Sequence, residues 1–283
     1  MALGPHRLLL RPRESRDLHL ISSEVVTTPR AAITWAQDVF GNDVATATFR
    51  TMTDTLSIDS NVELELHASP WPIFDIAASA LSYPFQYSTG EWADLGALAQ
   101  PQYDDPGGRL RQWARAFVRG NPTDTLSLLQ DLSAGIYTSL SYQSREDEGT
   151  QTPLDTLDRG WGSCRDFAVL FADAARHLGF GARIVSGYLF NPDGAAIGYA
   201  GSGSTHAWAE IFVPGAGWIT FDPTNRSVGG FNLIPVAVAR DISQVVPVAG
   251  SFLGMTDAFH GMSVAVDVTE HTTMKPSFQA QSS

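Results

Sequence analysis

GWGSCRDFAVLFADAARHLGFG, residues 160–181, is the stretch on which the fold turns. Phe167, Leu170, Phe171, Ala174, Ala175 and Leu178 recur at i, i+3, i+4 spacing, the stripe of a helix with one face in a core. Ser163 stands at the N-cap, Asp166 follows three residues later as in a capping box, and Gly179 suits the C-terminal end. The helix therefore starts at Cys164. A sulfur there sits over unpaired backbone N–H groups at the positive end of the helix dipole, which lowers a thiol pKa from about 8.5 toward neutrality. Gly160 and Gly162 permit close backbone approach, and an N–H at the helix start can donate to an oxyanion. The competing reading makes Cys164 a small core residue. Its place ahead of the stripe, behind Gly-Trp-Gly-Ser, favours a nucleophile, and a base is needed to decide.

Strand signals follow at ARIVSGYLF (182–190), THAWAEIFV (205–213) and GWITFDP (217–223). His206 opens its strand directly after a glycine-rich loop, GYAGSGST, of the kind that wraps a substrate cleft. Period-two alternation places His206, Trp208 and Glu210 on one face and Ala207, Ala209 and Ile211 on the other. If Val213 pairs near Trp218, Asp222 falls opposite residue 208 or 209, a diagonal neighbour of His206 at roughly 7–8 Å. Pro223 cannot donate to a ladder and ends the strand just after the aspartate. Taken singly, a strand-edge histidine is ordinarily solvated and an Asp before Pro is ordinarily turn chemistry. Taken together, cysteine at a helix start, histidine at a strand start and aspartate at the next strand's end give nucleophile, base and orienter in chain order.

The rest of the chain frames this core. Short alternating runs place a small antiparallel β domain over residues 1–70, with Val62, Leu64 and Leu66 opposed to Glu63, Glu65 and His67. The opening PHRLLLRPR reads as a strand whose pairing partner upstream is missing. Residues 71–106, rich in Pro, Trp and Tyr, read as an irregular linker packed down through aromatics. The core spans 107–270, with helices from 109 (RLRQWARAFVR) and 124 (DTLSLLQDLSAGIYTSL) and a last strand at MSVAVDVTE (262–270), before a polar, disordered tail over 271–283. The fold class is α+β.

Composition excludes several functions. Across 283 residues, 30 acidic against 18 basic side chains leave a net charge of -12, and every basic residue but Lys275 is arginine. That balance argues against nucleic acid and membrane surfaces as partners. One cysteine rules out an intrachain disulfide and a Cys-rich zinc site. The three-leucine run near the N-terminus falls short of a signal h-region, and no stretch approaches the ~20 apolar residues of a span, so a cytoplasmic location is expected.

GxCRDFAxL (162–170), ARIVSGY (182–188), HAWAE (206–210) and GWITFDPTN (217–225) together resemble the transglutaminase-like superfamily. LGPHRLLLRPRES, DVFGND and RDISQVVPVAG (240–250) are similar to bacterial members described as candidate cysteine proteases, which carry an N-terminal β domain and usually begin with one further strand. The resemblance implies a papain-like core, a helix bearing Cys164 packed on an antiparallel sheet. It makes Cys164 the nucleophile, His206 the general base and Asp222 the orienting carboxylate. Tyr142 falls where relatives carry an aromatic and becomes the candidate oxyanion donor, and Trp161, Trp208 and Trp218 are candidates for walling the cleft. Arg165 and Asp166 are expected to cap the helix and form a surface ion pair. The implied activity is acyl transfer from a peptide or other amide through a thioester. Hydrolysis by a peptidase or amidase is favoured, with transfer to an amine, or a non-enzymatic peptide-binding module, as alternatives. No cofactor or metal is implied; calcium would need a loop of EF-hand type, and there is none.

Overall fold

The computed structural model describes residues 1–145, 149–191 and 203–270. After a two-residue strand at Ala2–Leu3, paired with Phe252–Leu253, come five N-terminal strands: β1 (His6–Leu8), β2 (Leu18–Thr28), β3 (Ala32–Gln37), β4 (Asp43–Thr48) and β5 (Ser57–Leu66). β2 and β5 form a two-stranded antiparallel ribbon. β1, β4 and β3 lie side by side in a four-stranded sheet, and Val248–Ala249 closes its far edge beside β1. Both edges of β1 are thus paired, one of them by the C-terminal part of the chain, so the partner sought upstream is supplied from downstream. Leu8, Leu10, Ala45, Ala47 and Phe49 make the small core of this region.

Residues 71–106 are less irregular than their composition predicts. Helix α1 (Thr89–Leu95) sits there, held by a capping box in which Ser88 and Glu91 bond each other's backbone. The expected aromatic packing is present: Tyr83 stacks on Phe180 at 5.5 Å, and the Tyr87 hydroxyl donates to the Phe212 carbonyl at 2.7 Å. Helices α2 (Arg109–Arg115) and α3 (Thr125–Ser139) follow where the apolar stripes place them. A further helix, α4 (Pro153–Arg159), has no counterpart in the sequence reading, although Thr152 and Asp155 form a second capping box around a proline at its first turn.

Helix α5 (Cys164–His177) is the centre of the molecule, flanked by α2, α3 and α4 and laid on a five-stranded antiparallel sheet. That sheet contains β6 (Gly181–Phe190), β7 (Gly203–Val213), β8 (Gly217–Asp222) and β9 (Leu233–Ala239), in the order β8-β7-β6-β9, with Ser227–Val228 beyond β8. Phe167, Phe171, Ala174 and Ala175 of α5 pack on Ala207, Ala209, Ile211, Ile219 and Phe221 of the strands. The β7–β8 hairpin turns at Gly215, whose φ of 86° favours glycine and where a Cβ would lie 2.4 Å from the backbone nitrogen of Ala77.

The other face of this sheet is covered as well. Val185, Leu189, Trp208, Leu233 and Val238 cluster there beneath Phe40, from the turn between β3 and β4. Asn42 in the same turn is fully buried, and its amide behaves as an added strand. Nδ2 donates to the Val238 carbonyl at 2.8 Å, and Oδ1 accepts from the Val238 N–H at 2.9 Å. MSVAVDVTE is not a strand: 262–270 carry no ladder pairing, and only Val266 and Val268 are half-buried. Its alternation is satisfied by laying valines on a surface. The tail 271–283 and residues 198–202 of the glycine-rich loop lie outside the described residues.

Because Asn42 satisfies both backbone groups of a buried residue, Asn42→Ala is expected to destabilise the protein by about 2–4 kcal/mol. Urea unfolding followed by circular dichroism measures this, and a change under about 0.5 kcal/mol would contradict it.

Candidate active site

The start of α5 is fixed by the segments before it. Gly160 closes α4 in the left-handed conformation, with φ 71°. Trp161–Gly162 then pairs in parallel with Ser141–Tyr142. A Cβ on Gly162 would lie 2.9 Å from that of Asp166 and 3.1 Å from the Phe167 ring, so only glycine lets this strand run onto the helix. Asp166 is fully buried. Its carboxylate accepts from the Ser163 N–H and Oγ–H, both at 2.8 Å, from the Gln151 N–H at 2.7 Å and from Arg145 Nη2 at 2.9 Å. The expected surface ion pair with Arg165 is therefore replaced by a buried one with Arg145, while Arg165 donates to the Arg145 carbonyl at 3.1 Å. The carboxylate is aimed inward by the capping geometry, and the arginine that can reach it comes from a distant loop.

His206 and Asp222 are brought together by the β7–β8 register. Val213 pairs with Gly217 and Ala209 with Phe221, and one further step sets Asp222 against Trp208. His206 Nε2 and Asp222 Oδ2 are 2.8 Å apart, both residues buried. The thiol of Cys164 hydrogen-bonds the same ring. With Nε2 engaged by the carboxylate, Nδ1 is the nitrogen left for the sulfur. Asp222 accepts in addition from the Thr224 N–H at 3.0 Å and Asn225 Nδ2 at 2.8 Å. These two partners escape the sequence reading. Their signal is Pro223, which ends the strand and folds the next residues back over the carboxylate.

Electrostatics hold the pair charged. Burial opposes a charged ring, but the Asp222 carboxylate, its hydrogen bond and the Cys164 sulfur outweigh it and push the His206 pKa up to about 10. Burial likewise opposes the charge on Asp222, and His206, Asn225 and the Thr224 N–H overcome it, holding the carboxyl below its ordinary value.

The tryptophans are placed differently from expectation. Trp208 is 1 % exposed and stacks on the His206 ring at 6.0 Å, so it supports the imidazole rather than walling a cleft. It has room because Gly187, paired with His206, lacks a side chain; a Cβ there would lie 2.8 Å from the indole and 2.0 Å from the Ile234 carbonyl oxygen. Trp218 lies toward the other end of β8, against Phe212 at 5.5 Å and under the Arg183 guanidinium at 4.2 Å, away from Asp222. Trp161 is half-buried three residues before Cys164, with the Arg159 guanidinium 5.8 Å above its ring. Tyr142 is half-buried, paired through its backbone with Gly162, and edge-on to Phe167 at 6.3 Å. Among the described residues no group of three or more His, Cys, Asp and Glu side chains is arranged to hold a metal ion.

Residues 111–223 match the core of the transglutaminase-like superfamily, and residues 1–65 match the bacterial transglutaminase-like N-terminal region. The chain carries a transglutaminase-like core behind the bacterial N-terminal region. The matched core contains Cys164, His206 and Asp222. A Mycobacterium leprae protein is 36% identical over 118 residues, which is 41% of this chain and 40% of that protein, less than half of the relative's length. A Mycobacterium tuberculosis protein is 29% identical over 265 residues, covering 86% of this chain and 80% of its own. The solved structure of a candidate cysteine protease from Cytophaga hutchinsonii superposes with a TM-score of 0.70 over 89% of this chain and 81% of that one. At 20% identity that likeness shows the fold alone, a transglutaminase-like and papain-like architecture.

The raised histidine sets a pH dependence. A native-state pKa above the ordinary 6.5 contributes stability that is complete below 6.5 and is lost as pH rises toward about 10. The lowered Asp222 contributes stability present above 3.8 and lost as pH falls below it. The difference in urea midpoint between the wild type and Asp222→Asn is expected to shrink steadily from pH 6.5 to pH 10. A difference independent of pH over that range would show that the ring does not carry the charge.

Proposed function

We propose that the protein is a cysteine-dependent acyl-transfer enzyme that cleaves a peptide or other amide bond through a thioester, with water as acceptor. The observation that carries this reading is the line from the half-buried Cys164 thiol through the buried His206 ring to the buried Asp222. A sulfur at a helix start that hydrogen-bonds an imidazolium is the arrangement that supplies a thiolate near neutral pH.

In the first half-reaction the Cys164 sulfur attacks the carbonyl carbon and the carbon–oxygen double bond opens to an oxyanion. The backbone N–H groups at the start of α5 have no intrahelical acceptor, and that of Cys164 donates to the oxyanion. Tyr142, beside Gly162, is the side chain proposed for the second donor. The His206 ring gives its proton to the amine as the carbon–nitrogen bond breaks, leaving the thioester and a neutral ring. Water then attacks the thioester and gives a proton to the ring as the new carbon–oxygen bond forms. The carbon–sulfur bond breaks and releases the acid. Asp222 keeps the ring oriented and stabilises its charge in both halves.

Iodoacetamide is expected to label Cys164 near pH 7 faster than it labels free cysteine, as measured by mass spectrometry over time. Asp222→Asn should slow amide cleavage about a hundredfold or more while leaving the fold intact. A Cys164 no more reactive than free cysteine would favour a binding module. Incubating a blocked peptide amide with excess primary amine should release free acid; an amine adduct in place of the acid would make the protein a transferase.

A further inference from the structure

The C-terminal segment reaches the ground in front of the nucleophile. Gly203, Thr205, Ala207 and Ala209 share one face of β7, and Ala207 and Ala209 belong to the core beneath α5. The helix starts at His206, through Cys164, and runs toward Ala209, because Phe171 packs at 5.3 Å on Phe221, the partner of Ala209. The face at Gly203 therefore lies ahead of the helix N-terminus, three strand residues or about 10 Å from His206. This surface adjoins the Cys164 sulfur along the strand, on the side from which an acyl group can approach it.

Val268 occupies it. A Cβ on Gly203 would lie 2.4 Å from Val268 Cγ2 and 3.1 Å from the Val268 nitrogen, so backbone and side chain both press on the glycine. Val266 and Val268 are half-buried, whereas Ala265, Asp267 and Thr269 are exposed. That period-two burial without ladder pairing is how a bound extended peptide lies on a surface.

The geometry points to a substrate subsite floored by Gly203, which takes an extended peptide presenting branched apolar side chains two residues apart and which the chain fills with its own residues 266–268. The inference rests on Cys164 being the nucleophile. It makes the C-terminal segment a tethered competitor of substrate, and the missing side chain of Gly203 a determinant of specificity. An aspartate at 266 or 268 places charge against this apolar seat and releases the segment.

The test uses the full chain and two alkylating probes, iodoacetamide and an acetyl-Val-Ala-Val chloromethyl ketone, with Cys164 labelling followed by mass spectrometry. The double variant Val266→Asp/Val268→Asp should label with the peptide probe about tenfold faster than the wild type, as expected when a competing occupant is removed. A synthetic SVAVDVTE peptide should slow it again. Gly203→Ala should displace the segment and also fill its seat, raising iodoacetamide labelling without raising labelling by the peptide probe. Equal peptide-probe rates for the wild type and the double variant, with melting curves unchanged, would overturn the proposal. So would a Gly203→Ala protein that gains reactivity toward both probes. If instead the double variant labels with iodoacetamide no faster than free cysteine, the nucleophile reading itself fails and takes this inference with it.

Discussion

The buried carboxylate of Asp166 is the constraint on which the site depends. A carboxylate removed from water costs several kcal/mol unless its lone pairs are filled. Here they are filled by the helix cap, the Gln151 backbone and Arg145. Those donors come from different parts of the chain, so satisfying one charge fixes the loop, the cap and the first turn of α5 relative to one another. The position of the Cys164 sulfur follows from that. A helix start merely frayed into solvent would leave the thiol free to rotate away from His206, and the dipole that favours its anion would be screened by water.

The second constraint is register. Strand pairing is quantised in steps of one residue, and a slip by one would turn Asp222 to the opposite face from His206. The Gly217–Val213 pairing and the glycine turn at Gly215 leave no such slip, because the turn is also packed against Ala77. The aspartate is then held from its far side by Thr224 and Asn225, so its remaining strong interaction is the imidazole.

Local periodicity makes α5, the β6–β8 strands and the pairing of His206 with Asp222 legible in the sequence, since each depends on side-chain spacing and one hairpin. Helices α1 and α4 are not legible from periodicity because seven residues give too little apolar repeat, although Ser88-Glu91 and Thr152-Asp155 mark their starts. Alternation places Trp208 on the face of β7 that it occupies, but not in the buried environment the structure gives it. Alternation tells which residues share a face and is silent on what covers it; Phe40, far away in sequence, is what covers this one. The same limit accounts for MSVAVDVTE, whose alternation is real but is met by a surface rather than by a ladder, and for Asp166, whose arginine partner no local pattern could name.

Covering that face alters the chemistry as well as the packing. Two unit charges 4 Å apart attract by about 1 kcal/mol in water and about 4 kcal/mol at an effective dielectric near 20. Phe40, with Asn42 pinned to Val238, seals the side of the sheet on which Trp208 supports His206. The sealed pair resists salt and solvent, and its attraction for the sulfur is correspondingly stronger. Without the turn at 38–42, the five-stranded sheet would leave Val185, Leu189, Trp208 and Val238 uncovered and the imidazole wet. The N-terminal region is therefore part of the site's dielectric: it adds to the burial that opposes the charge on His206 and strengthens the attraction of Asp222 that overcomes it.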